Sequence, residues 1–427
     1  MPGRSLAALT VFTLALVACS RPATPARAAS PDGPSPQAPV SSAPSAPAPS
    51  PSPALAPGGA DFSKEVRLLY RVVACGGDEP LPAPLDPARL EEYCGWLVPR
   101  LAAYERDYLG KARPFLAARR PANLPPKVVY PFGGGDLLTA LTTYPDALEY
   151  TTLSLEHAGD PRRLAGLAGA PLSQNLAEVR RRMKGLFAYA ESTSENLMQM
   201  EKSEVPGQLA FFVVALAVHG FEPVSLRYFR LEPDGALHYL TAEEIAASEK
   251  TLAQKLNKSW TSPDFSVAFS NSELVFKPKG KEGPLRVHRH IAVNLSDENL
   301  KRDPATLRFL DAQGEVAAMT KAASYLLWAE GFSRIRDYLL GHMVFMVSES
   351  TGIPPGDAAR AGFEMETWGR FSGPYLLARK SVADDFRKLW AEQPYRELNF
   401  RYGYPDASGH HHLLITRPKA KAAVAAK

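Results

Sequence analysis

Apolar side chains recur three and four positions apart in two early stretches, FSKEVRLLYRVVAC (62–75) and PARLEEYCGWLVPRLAAYERDYLGKARPFLAARR (87–120). That spacing predicts two amphipathic helices. The period then changes. VVYPFGGGDLLTALTTYPDALEYTTLSLEH (128–157) opens on a continuous apolar run, passes three glycines and an aspartate, regains helical spacing, and closes in a strand-like run at Glu156. Residues 174–202 predict a further long helix, basic on one side through Arg180, Arg181 and Arg182. GQLAFFVVALAVHG (207–220) is apolar all round, which predicts a buried helix and falls short of a membrane span. Alternating patterns predict two hairpins, at 224–241 around Pro-Asp-Gly and at 273–295 around a Gly-rich loop. Helical spacing returns at 304–311 and 321–342. MVFMVSES (343–350), FEMETWGRF (363–371) and HHHLLIT (410–416) predict late strands. The fold class is therefore α/β: a mixed sheet with a strand, Gly loop, helix and strand unit, plus antiparallel hairpins.

The two ends follow other rules. Residues 1–18 read as a secretory signal peptide, with Arg4 before the apolar run LAALTVFTLALVA. Leu16-Val17-Ala18-Cys19 resembles the lipobox of bacterial lipoproteins. The resemblance implies acylation and cleavage at Cys19, hence membrane attachment through an N-terminal lipid anchor. Ser20 in the next position implies sorting to the outer membrane, facing the periplasm or the surface. Residues 19–60 are a Pro/Ala/Ser linker, holding 12 of the chain's 39 prolines from position 20 onward, too poor in apolar surface to fold. At the polyproline rise of ~3.1 Å per residue it reaches at most ~120 Å. Residues 61–418 form the globular region, as one large domain or two packed closely, and 419–427 a basic tail.

Composition narrows the partners more than the chemistry. Lys and Arg number 49 against 45 Asp and Glu, a formal charge of +4 with the signs well mixed. That balance and the exported address argue against nucleic acid. Of three cysteines, Cys19 is assigned to lipid, leaving Cys75 and Cys94 as a pair in an oxidising compartment. A disulfide between them would close a proline-rich loop of about twenty residues, worth roughly 3 kcal/mol in the chain-entropy account. Two free thiols or a metal site are the alternatives. G-x-S-x-G, S-x-x-K, H-E-x-x-H and the Walker loop do not occur.

Residues 128–157 resemble the start of the class I methyltransferases. By that resemblance, Gly133, Gly134 and Gly135 let the backbone approach a ligand, Asp136 caps the next helix, and Glu156, about twenty positions on, binds ribose hydroxyls. Pro131 and Phe132 stand where the family places an acid, and an exported chain is not expected to meet nucleotide cofactors, so no cofactor is expected. The plain alternative is a tight turn. The blocks YPFGGGD and KAASYLLW…FSRIRDYLL…ESTGIPP also resemble parts of bacterial envelope proteins of unassigned activity.

Two further groups carry candidate chemistry. His288 and His290 share one strand face, as do His410 and His412, and four imidazoles on adjacent strands could bind zinc or copper; polar strand faces are the plainer account. On a helix over 332–343, Arg336 falls between Phe332 and Leu340, inside the apolar stripe. Either it snorkels to solvent, or it lines the glycine-loop cleft and pairs with Glu349, Asp136 or Glu156. The leading expectation is a lipid-anchored cell-envelope protein acting by binding a ligand or a partner protein. An enzyme on the Rossmann-like scaffold, using Gly133–Asp136 and Glu156, is the alternative, and an envelope hydrolase without a local signature the third.

Overall fold

Strands buried on both faces read as continuous apolar runs, and KVVYP is such a run because it lies mid-sheet. In the computed structural model, which describes residues 58–188, 204–249, 266–321, 323–349, 352–371, 380–402 and 411–419, ten strands join in one sheet. In chain order they are β1 Lys127–Pro131, β2 Glu149–Ser154, β3 Phe221–Leu231, β4 Leu237–Tyr239 and β5 Asn271–Pro278. Then follow β6 Arg286–Ala292, β7 Val316–Thr320, β8 Met343–Ser348, β9 Phe363–Gly369 and β10 His412–Pro418.

The order across the sheet is β4-β3-β5-β6-β2-β1-β7-β8-β10-β9. The central pairs β6–β2, β2–β1, β1–β7 and β7–β8 are parallel. Every other pair is antiparallel. Numbered among themselves by chain order, the five parallel strands stand as 3-2-1-4-5, the doubly wound arrangement. The chain leaves β1 toward β2 and later returns on its other side as β7. The carboxyl ends of β1 and β7 thus form a topological switch point, where open α/β sheets hold their ligands.

Alternation along β1 divides the core. Val128 and Tyr130 point into one apolar cluster with the helices Ser63–Ala74, Pro87–Tyr104, Leu137–Thr143 and Gly207–Val218. Val129 points to the other face, against the helices Asp297–Arg302, Ala305–Asp311, Ser333–His342 and Pro355–Arg360. The all-apolar segment becomes the buried helix Gly207–Val218, enclosed by the sheet, Ser63–Ala74 and Leu137–Thr143. Among the described residues no helix is long and apolar enough to cross a membrane.

Several elements depart from the pattern for local reasons. The stretch 87–120 is broken by a π turn, Glu105–Leu109, between Pro87–Tyr104 and Gly110–Ala117. The stretch 321–342 is interrupted at Gly331, whose φ of +88° suits glycine and ends helical continuity before Ser333–His342. Both hairpins form, and the second delivers β6 into the parallel core beside β2. A buried ion network ties them in: Glu273 on β5 takes Arg227 of β3, Arg289 of β6 and the Tyr239 hydroxyl of β4, and Arg289 reaches Glu149 of β2 at 2.7 Å. Cys75 and Cys94 are joined as a disulfide, Cα to Cα 5.6 Å, stapling the end of Ser63–Ala74 to the next helix.

Candidate functional site

The switch point is built by the turn after β1. Phe132 adopts φ +60°, in the left-handed region that a bulky residue reaches only under strain, and its ring rests 5.6 Å from that of Phe332. Gly134 follows at φ +51°, and the Gly133 N–H donates to the Leu153 carbonyl at 3.0 Å, locking the turn to the end of β2. The glycines are required by crowding. A Cβ on Gly133 would lie 2.9 Å from the Tyr130 ring, and one on Gly135 would meet Gln208 Oε1 at 3.0 Å and Phe211 Cβ at 3.2 Å. Gly135 therefore lets the first turn of Gly207–Val218 press against the loop. Phe132 faces the second core, so the loop is closed by Tyr130, Gln208 and Phe211.

Asp136 is committed to structure. Its Oδ1 accepts from the Thr139 N–H at 3.1 Å and the Thr139 hydroxyl at 2.8 Å, an N-cap for Leu137–Thr143. Its Oδ2 accepts from the Tyr130 hydroxyl at 3.1 Å and faces Lys321 Nζ, just past β7, at 3.3 Å.

Glu156 is the opposite case. The residue is 9 % exposed, and among the described residues neither carboxylate oxygen has a hydrogen-bond partner. Gln208, 1 % exposed, likewise has an amide with no partner at either end. The two sit on segments that meet: Gly159 packs on Pro206, where a Cβ would come to 2.7 Å. Buried polar groups are almost always paired, and an unpaired one costs ~1–3 kcal/mol, more if charged. Both residues lie near the carboxyl edge of β1 and β2: Gln208 packs on Gly135 of the glycine turn, and Glu156 follows β2 by two residues.

Behind Glu156 runs a directed chain of hydrogen bonds. His290 Nε2 donates to the Glu156 carbonyl at 2.7 Å, so the neutral ring presents Nδ1 as acceptor to the Thr152 hydroxyl at 3.1 Å. Thr152 then accepts from His288 Nε2 at 2.9 Å, leaving His288 Nδ1 as an unpartnered acceptor. Burial holds both imidazoles neutral, with His290 pushed down to about 4 and His288 well below its usual value.

This order corrects the metal reading. Strands β6 and β10 are separated by β2, β1, β7 and β8, so His288 and His290 are not beside His412. His410 lies outside the described residues. Among the described residues no group of three or more His, Cys, Asp or Glu is placed to hold a metal. Cys19 also lies outside the described residues.

Arg336 is paired, though not as expected. Its Nε lies 3.3 Å from Asp357 and its Nη1 donates to the Leu327 carbonyl at 3.0 Å. Asp357 lies in the first turn of the helix Pro355–Arg360 on the second face, so the arginine ties that layer together. Glu349, 1 % exposed, accepts from the Ser324 hydroxyl at 2.7 Å. The structure thus sets Gly133, Gly134, Gly135 and Asp136 in one turn with Glu156 two residues past β2, and pairs Arg336 with Asp357 and Glu349 with Ser324. Gln208, Lys321 and Thr152 are the additions. Gln208 had a signal, as the one amide in an otherwise apolar run; Lys321 and Thr152 had none, since only strand order brings them in. Compared with known proteins, the chain matches no family model, no curated protein and no solved structure.

Proposed function

We propose that this is a lipid-anchored cell-envelope protein that binds a small, donor-rich polar ligand at the carboxyl edge of its parallel sheet. The observation that carries the reading is the pair of buried side chains Glu156 and Gln208, unpartnered among the described residues, the first just past β2 and the second against the glycine turn. A carboxylate offers acceptors only, and an amide offers both functions, so together they suit a ligand rich in hydroxyl or amino groups, such as a polyol or sugar. Asp136 and Lys321 neutralise one another and fix the turn. The reading predicts binding and assigns no nucleophile.

A second reading is an enzyme resembling the class I methyltransferases. The strand order favours it: 3-2-1-4-5 followed by β10 inserted antiparallel between β8 and β9 is the order of that family's sheet. Glu156 then stands at the position that binds ribose.

The test is a thermal-shift screen of the full chain against sugars, polyols and nucleosides, with S-adenosylmethionine included. A ligand at ~100 times its Kd adds about 2.7 kcal/mol, a rise of ~3–4 °C for a chain of this size. A sugar or polyol hit lost in Glu156→Ala supports the binding site. A hit confined to S-adenosylmethionine moves the weight to the enzyme. Absence of any hit that depends on Glu156 refutes both.

A further inference from the structure

The π turn at Glu105–Leu109 interrupts a long surface helix, and such single-turn insertions concentrate at functional sites. Beside it lies a groove of about 560 Å³, bordered by this helix, the end of Gly169–Ala188, and the segment around Phe400 with His411. The volume is within the ~300–1,000 Å³ of small-molecule sites.

Its chemistry is uneven. Arg100, Lys111, Lys184 and Arg401 line it, and Asp107 is the acid among the lining residues. That carboxylate is already held by the neighbouring Arg106 guanidinium through two hydrogen bonds, at 2.8 and 2.9 Å. Arg100 is held over the Trp96 ring at 4.5 Å. Between the cations is an aromatic wall, with Tyr104 5.0 Å from Tyr108 and 5.3 Å from Phe187, and Tyr108 5.8 Å from Phe400, centroid to centroid. The π turn sets Tyr104 and Tyr108 on this wall from successive turns. A concave surface lined by one sign of charge concentrates counter-ions, and rings supply apolar contact at little cost in side-chain entropy.

We propose that this groove binds an amphipathic anion. A phosphate or carboxylate head would pair with Lys111 and Lys184, and an acyl or aromatic body would lie on Tyr104, Tyr108, Phe187 and Phe400. The chemistry is that of an anionic lipid or of a free amphiphile. It does not rest on the cluster at Glu156, which offers acceptors and repels anions.

The probe is dodecyl phosphate below its micelle concentration, titrated calorimetrically into the full chain carrying Cys19→Ser, which removes any acyl anchor. Lys111→Glu combined with Lys184→Glu should weaken binding at least tenfold, with the circular dichroism spectrum unchanged. Lys111→Gln with Lys184→Gln should give a smaller loss. Neutral dodecyl glucoside and inorganic phosphate should each bind at least tenfold more weakly than the probe. Co-sedimentation with phosphatidylcholine vesicles only when they contain phosphatidylglycerol, lost in the reversed variant, assigns the source to a lipid headgroup. Titration without vesicle binding assigns it to a free amphiphile, and either supports the site. Failure of dodecyl phosphate to bind overturns the proposal. So does a neutral analogue of equal affinity, or a charge reversal that leaves Kd within twofold.

Discussion

Asp136 and Glu156 are both carboxylates, both buried, and both just past the carboxyl ends of β1 and β2, yet removing their charges should move stability in opposite directions. Asp136→Asn strips a buried acceptor that serves Thr139 twice, Tyr130 once and Lys321 as counter-ion. The nearly buried lysine would lose this counter-charge, and breaking such a pair costs about 3–5 kcal/mol. Glu156→Gln replaces a carboxylate that has no hydrogen-bond partner among the described residues. Exchanging an unpaired buried charge for a neutral amide relieves part of its desolvation cost, on the order of 1–3 kcal/mol, and keeps the volume. At ~2.1 cal/mol/K per residue, about 360 residues give an unfolding entropy near 0.75 kcal/mol/K. Glu156→Gln should then raise the melting temperature by about 1–4 °C, and Asp136→Asn should lower it by about 4–7 °C. Urea unfolding followed by circular dichroism, with equal m-values required, gives the same comparison isothermally. A binding site held at a cost to stability predicts this opposition. If Glu156→Gln lowers stability by more than 1 kcal/mol, the carboxylate is a structural acceptor and the site argument fails.

Other outcomes follow from single features. Breaking the staple with Cys75→Ser and Cys94→Ser should cost about 3 kcal/mol in the chain-entropy account, and native, unreduced protein should resist alkylation at both thiols; labelling of both would overturn the pairing. Gly135→Ala should destabilise by ~1–3 kcal/mol through overpacking against Gln208 and Phe211, with partial recovery on adding Gln208→Ala; lack of recovery would mean the loop is not held by that helix. Burial lowers His290 to about 4, and to about 3 it lowers His219, which the Arg113 charge depresses further. Their folded values lie below the unfolded 6.5, so the unfolded chain binds more protons between pH 6.5 and 4, and stability is full above 6.5 and falls as pH drops. For His290 alone the loss is roughly 3 kcal/mol, and His290→Gln should flatten the urea-derived slope over that window by about one proton; an unchanged slope would refute the burial argument. Cys19→Ser should abolish palmitate labelling and release the protein from membranes, and surviving incorporation would sink the anchor.

What the residues disclosed was local. Continuous apolar runs marked the buried strands, the Pro-Asp-Gly turn marked β3–β4, and GQLAFFVVALAVHG marked a helix with no solvent face, because each follows from periods of two or 3.6 read within one segment. Pairing across the sheet is not local. The imidazoles of β6 and β10 show the same alternating pattern, and nothing in it says that four strands come between them. Arg336 illustrates the same limit on a helix. Its position inside an apolar stripe required a partner, but several carboxylates satisfied that requirement on paper, and the choice of Asp357 depended on which helix packs beside Ser333–His342.

The candidate site depends on both kinds of information, and this explains why only half of it was legible. The glycines and Glu156 announce themselves, since a residue triplet without side chains and an acid closing an apolar run are both costly unless used. Gln208 was visible as an amide in an apolar helix, yet its meaning required knowing that the helix begins against Gly135. Those segments meet at Gly159 and Pro206, which brings the backbone of the two unpartnered groups to the same edge of the sheet, while the acid Asp136 is consumed in holding the turn. The distinction between a structural acid and an available one is therefore not a property of residue type or spacing. It is set by how many donors the fold delivers to each carboxylate: three hydrogen-bond donors and a lysine to Asp136, and none to Glu156.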